Sequence, residues 1–213
     1  SAATKARHGM NESIARLSTG IRAMYGGDAA GHSAGTIASA HGKSFAQAAR
    51  NIEEGISVAQ MTESVLLEIA NLAQRMRELG IAFDNAALLD GNQEAALTAE
   101  VAAIGDTIES LIDNTKFNDI AILTNSATQF AVAYDHKTAN TTNVGANTAI
   151  LATDTIASAN AADTSADTIL ASVAAALGNV AADLSALKAH QGAASATSAN
   201  LAAAGARLLD TDF

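Results

Sequence analysis

Large apolar residues recur along this chain at alternating steps of three and four, the spacing of one helix face. Residues 1–24 predict a first helix, with Ile14, Leu17, Ile21 and Met24 in one stripe. Tyr25-Gly26-Gly27-Asp28 then breaks the pattern. Residues 29–40 are rich in Gly, Ser and Ala and read as a loop or a poorly packed helical turn. The strongest signal spans 42–82. Phe45, Ala49, Ile52, Ile56 and Ala59 lead into Val65, Ile69, Leu72, Met76 and Leu79, a heptad-like seam. Glu53, Glu54, Glu63, Glu68 and Glu78 lie mostly off that seam and predict a wet face. Asp84 to Asp90 reads as a reversal. Asp90 and Gln93 have the spacing of a capping box and open a helix over 91–114. Its seam is Leu97, Val101, Ile104, Ile108 and Leu111. Two such seams joined by a short turn predict an antiparallel helical hairpin.

From 115 the pattern changes. Ile120–Leu123 and Gln129–Tyr134 predict two short strands, and Val144–Thr155 a third. Lys137 to Asn147 is rich in Thr, Asn and Gly and reads as loop. Helical spacing returns from about 154 to 213, with Ile169, Val173, Leu177, Val180, Leu184 and Leu187 in one stripe. Beyond it the face thins to Ala and Ser, so the helix needs a tight seam against a neighbour. The expected fold is mainly α: an elongated antiparallel helical bundle or coiled-coil rod with a small β-hairpin region at one side or tip. It forms a single body over 1–213, with helices to about 114, a β and loop region over 115–155 and a C-terminal helix from 156. The N- and C-terminal helices are expected side by side.

Composition sharpens this picture. The 213 residues contain no Pro and no Cys. Proline averages about 5% of ordinary proteins and costs about 3 kcal/mol inside a helix, so its absence suits long helices. Without Cys there are no disulfides, Cys–zinc sites or thiol nucleophiles. Alanine supplies about a quarter of the chain. The net charge of −10 disfavours nucleic acid as a partner. No continuous apolar run approaches the roughly 18 residues of a membrane span.

Catalytic chemistry has little to stand on. His8, His32, His41, His136 and His190 fall in no metal-ligand motif and read as surface or structural histidines. Asp163 and Asp167, one turn apart, suit a solvated acidic face better than a cation site. Asn11-Glu12-Ser13 and Asn140-Thr141-Thr142 match the glycosylation sequon, a pattern that arises easily by chance. There is no phosphate-binding glycine loop and no nucleophile elbow. The reading is therefore of a non-enzyme without a cofactor.

Several motifs occur in the order found in bacterial flagellins. Ser13 to Arg22, followed by Gly27-Asp28-Ala29-Ala30-Gly31, resembles that family's N-terminal signature. Arg50-Asn51-Ile52 and Gly55 to Glu63 resemble its next box, and Gln74 to Leu79 a third. Asn114 to Asn118 and, at the far end, Asn200 to Ala204 and Arg207 to Phe213 resemble two more. Met24 to Gly27 and Gly80 to Phe83 depart from the family pattern, and the large outer domains are missing. The terminal helices are incomplete, so the expectation is a shortened piece whose missing ends drive assembly.

The resemblance implies a structural subunit of the flagellar filament, extracellular and at the cell surface. Alternatives are a hook–filament junction protein or a surface homologue acting as an adhesin or glycan-binding protein. The implied partners are further flagellin subunits, an export chaperone, a cap protein, the innate immune flagellin receptor and a surface glycan. By resemblance, Arg75, Leu79 and Glu100 fall at positions of subunit packing and receptor contact, although Leu79 also continues the helical seam. Gly20 with Asp28, Ala29, Ala30 and Gly31 falls at the connection between the inner core and the rod, where the plainer reading is an ordinary loop.

Overall fold

The computed structural model describes residues 2–21, 28–123, 130–137, 140–144 and 159–210. Four helices dominate: α1 (Ala2–Thr19), α2 (Ala29–Phe83), α3 (Gly91–Asn114) and α4 (Ala162–Leu209). Short strands β1 (Lys116–Phe117), β2 (Ile120–Ala121), β3 (Phe130–Ala133) and β4 (Thr141–Val144) lie between α3 and α4. They form two two-stranded sheets, β1 with β2 and β3 with β4. The expected mainly α fold with a small β region is what the chain adopts. It divides into two compact units. The first holds 1–52, 133–141 and 189–213; the second holds 53–132 and 142–188.

In the first unit, α2 and α4 pack antiparallel through small residues. A Cβ on Gly35 would meet Leu209, one on Gly42 would meet the Ala202 and Ser198 backbone, and one on Gly205 would meet the Gly35 and Ser39 backbone. The Ser198 hydroxyl donates to the Gly42 carbonyl at 2.8 Å. Residues 29–40, expected as a loop or a poorly packed helical turn, are helix throughout. Gly and Ser weaken an isolated helix, but here their lack of bulk lets two backbones approach, and tertiary packing overrides propensity. The helices side by side in this unit are α2, from the N-terminal group of helices, and α4, while α1 buries none of its residues.

In the second unit, α2, α3 and α4 share a core of Leu66, Ile69, Ala73, Met76, Val101, Ile104, Ile108, Ile169, Val173, Val180 and Leu187. These are largely the positions that the three- and four-residue steps select. Thr62, fully buried, donates its hydroxyl to the Val58 carbonyl at 2.8 Å, so its polarity is satisfied inside the helix. Gly80 lets α2 reach the start of α4, where a Cβ would sit 2.4 Å from the Asp163 nitrogen. Nearby, Arg77 pairs with Asp167 at 2.7 Å.

The capping box at α3 is present as expected. Asp90 accepts from the Asn92 and Gln93 backbone N–H groups at 2.9 Å, and Gln93 accepts from the Asp90 N–H at 3.0 Å. Between β1 and β2, Asn118 and Asp119 both take positive φ, 48° and 62°. Two such residues suit a tight hairpin turn, and Lys116 faces Ala121 while Phe117 faces Ile120. The expected strand over 120–123 is thus shorter, and it pairs backwards with Lys116–Phe117. The expected strand over 129–134 appears as β3. Its partner β4 corrects the loop reading of 141–144, because pairing supplies the order that Thr and Asn do not. The expected break at Tyr25–Gly27, the seam position Met24 and the part of the third strand beyond Val144 lie outside the described residues.

Among the described residues, Ala159–Leu209 is long and apolar enough, by length and composition alone, to cross a membrane. This qualifies the expectation that no stretch reaches that mark. Interspersed alanine carries the apolarity, and the large side chains Ile169, Val173, Val180 and Leu187 are core residues of the second unit.

Candidate interaction surface

The first helix is amphipathic, and among the described residues its apolar face stays exposed. Met10, Ile14 and Leu17 are 60%, 57% and 60% exposed, and Ile21 just beyond the helix is 38% exposed. Met10 extends the stripe one turn back from Ile14. On a half-exposed flank, Arg16 pairs with Glu12 one turn earlier. A helix of 18 residues is near the length at which isolated helices are marginal in water.

Both ends of the 20–31 connection are built by residues singled out from sequence. Gly20 takes φ +68° and its N–H bonds the Arg16 carbonyl at 2.8 Å. That is a left-handed terminator, where a side chain would strain the backbone. Ile21 forms an isolated antiparallel bridge with Asp210 at the far end of α4. Asp28 then caps α2, its carboxylate accepting from the Gly31 N–H at 2.8 Å. A Cβ on Gly31 would come within 2.3 Å of that carboxylate, so Gly permits the cap its close approach. Ala29, Ala30 and Gly31 are the first turn of α2 rather than loop.

The other group of singled-out residues is partly brought together. Arg75 on α2 reaches Glu100 on α3 at 2.8 and 3.0 Å and Glu78 at 3.1 Å. All three side chains stay about half exposed or more. The bond to Glu100, then that to Glu78, holds the guanidinium proton more firmly than in free arginine. Leu79 is 3% exposed and belongs to the core of its unit. It sits on the seam that its spacing from Leu72 and Met76 describes, and it offers no surface beside Arg75. Among the described residues, no group of three or more His, Asp or Glu side chains is placed to hold a metal ion.

Comparison with known proteins gives this arrangement a context. Residues 1–128 match the family model of the bacterial flagellin N-terminal helical region. A flagellin of Xenorhabdus nematophila is 35% identical over 130 residues, 61% of this chain and 41% of that protein. A flagellin of Escherichia coli is 37% identical over 123 residues, 56% of this chain and 24% of that protein. The chain thus spans less than half the length of the curated relatives it matches. The crystal structure of Bacillus cereus flagellin aligns over 71% of this chain and 88% of that one, with 16% identity and a TM-score of 0.48.

Proposed function

The chain belongs to the bacterial flagellin family, and on that premise we propose that it serves as a structural subunit of the flagellar filament, outside the cell. The observation that carries the reading is α1. Its stripe of Met10, Ile14 and Leu17 is more than half exposed and its helix buries no residue. An unpartnered apolar face gains most from a partner that brings a matching one, because burial of each large side chain is worth about 1.5–3 kcal/mol. A second copy is such a partner. Where this face meets a different apolar surface of the next copy the contact is heterologous, and unless the rotation between copies closes a ring it propagates as a helical filament. The reading is of a structural protein rather than an enzyme.

Finer assignments follow from the same premise. The 1–213 segment works as one rod core in the filament. Gly20, with the cap formed by Asp28, Ala29, Ala30 and Gly31, sets the angle at which α1 leaves that core. Arg75 and Glu100 contribute a charged rim to subunit packing and to contact with the innate immune flagellin receptor, and Leu79 supports them from beneath. An export chaperone and a cap protein would meet the same uncovered helix before assembly. A surface glycan has less support, since a polyanion would approach a chain of net charge −10.

The test is polymerisation of the purified secreted protein in a precipitating salt, with and without filament seeds, followed by electron microscopy and sedimentation. Filaments from the wild type and none from Leu17→Asp would support the reading. A wild type that stays monomeric even with seeds would overturn it.

A further inference from the structure

The chain has four methionines. Met10, Met61 and Met76 fall among the described residues, and their settings differ. Met76 is fully buried in the core of the second unit. Met61, on the same helix α2, is half-buried. Met10, on α1, is 60% exposed and begins the stripe that Ile14 and Leu17 continue. The helix is open beside it, since a Cβ on Gly9 would meet nothing within 4 Å.

Exposure decides the chemistry of a thioether. A thiol must first lose a proton, so its reactivity follows its pKa. A thioether has no proton to lose, and its sulfur reacts with a peroxide that can reach it. A sulfur lone pair attacks one oxygen of hydrogen peroxide, an S–O bond forms and the O–O bond breaks. The departing hydroxide takes the proton from the transferred oxygen and leaves as water. The sulfur is oxidised to the sulfoxide by two electrons, and the peroxide is reduced. The Met10 sulfur meets this oxidant in solution, whereas that of Met76 lies behind the core.

The product changes the face. A reduced methionine is unbranched, soft and apolar, and it fits an irregular apolar partner. Its sulfoxide is polar and chiral. On a free helix the new oxygen is hydrated and costs little. Against a matching apolar face it would lose that water and gain no donor. Burying an unpaired polar group weakens an association by about tenfold or more. The loss falls on contact between copies and not on the fold, because α1 buries none of its residues.

We infer that Met10 is an oxidation-sensitive position on the assembly face: peroxide converts it to the sulfoxide ahead of Met61 and Met76, and a subunit so modified no longer joins the polymer. The inference rests on the reading of the α1 stripe as the surface where copies meet. The same contact covers the sulfur once a subunit is assembled, so free subunits are oxidised and assembled ones are spared.

The experiment treats the whole purified chain with dilute hydrogen peroxide and quenches it with catalase. Peptide mass spectrometry follows each methionine, and sulfoxide should form at Met10 at least about tenfold faster than at Met76, as access dictates. Seeded polymerisation in a precipitating salt, read by sedimentation, should then need at least about tenfold more of the oxidised protein than of the untreated one. Thermal unfolding should not move. Met10→Leu keeps the volume without the sulfur, and it should assemble equally well before and after peroxide. Sulfoxide reductases acting on both epimers should restore assembly of the oxidised wild type, a test that holds even where leucine itself weakens assembly. Equal oxidation of Met10 and Met76, undiminished assembly of the oxidised wild type, or the same loss in oxidised Met10→Leu would overturn the inference. An untreated wild type that does not polymerise fails before any peroxide is added; that outcome overturns the filament reading, and this inference with it.

Discussion

Helices α1 and α3 carry the same kind of apolar stripe and meet opposite fates. In α3, Val101, Ile104 and Ile108 are at most 8% exposed, covered by neighbours within the second unit. In α1, Met10, Ile14 and Leu17 stand at 57–60% exposed. The pattern thus states which face of a helix is apolar and not what covers it. A stripe covered within its own unit is a matter of stability. A stripe left bare is a matter of assembly, and the same substitution should read out differently in the two.

The largest expected effect breaks the comparison open. Ile108→Ala should cost about 2–5 kcal/mol in urea unfolding, since it empties a fully buried site. Leu17→Ala should stay within about 0.5 kcal/mol, as surface changes do. An equal cost at Leu17 would mean that α1 is covered after all.

Next comes a pair of glycines in the long helices. Gly80→Ala should destabilise by about 1–3 kcal/mol, because its new methyl meets the backbone of α4. Gly178→Ala meets nothing within 4 Å. It should raise stability by about 1 kcal/mol from helix propensity alone. Thermal unfolding of the two variants would separate packing from propensity.

A smaller effect sharpens the account of how α3 begins. Asp90→Ala should cost about 1 kcal/mol by chemical denaturation, with Asp90→Asn retaining most of it, because either side chain caps.

The smallest effect concerns acid. Partial desolvation pushes the Asp135 carboxyl up, but hydrogen bonds from Asn140 and the Lys137 amide, with the charges of His136 and Lys137, outweigh it and hold the group below its ordinary value. Its hold on Lys137 and Asn140 is therefore complete above the ordinary carboxyl range near pH 4 and is lost as pH falls through the lowered value. Amide exchange at Lys137 should show this step in the wild type and not in Asp135→Asn.

What was legible in the sequence is instructive at particular residues. The seams at Ile69–Leu79, Val101–Ile108 and Ile169–Leu187 were readable because one apolar face must be buried and its spacing is fixed by the helix. The Asp90–Gln93 cap was readable because it is satisfied within four residues. Residues 29–40 read equally as loop or helical turn because Gly35, Ser39 and Gly42 matter only for what they allow to approach. The partners are Ser198, Leu209 and Gly205, remote in the chain. The β4 strand was missed for a similar reason, as Thr141 to Val144 gains its order from β3. In the candidate surface, the α1 stripe was legible and the burial of Leu79 was implied by its seam. The meeting of Arg75 with Glu100 was a juxtaposition of two helices.

The sequence by itself determined the family, the helical periodicity, the local caps and the faces that must avoid water. These rest on interactions closed within one or two turns of backbone, or on the apolarity of single side chains. Tertiary structure alone decided which face found cover and which glycines became contacts. Those outcomes depend on residues brought close by the whole chain, and short-range spacing carries no record of them.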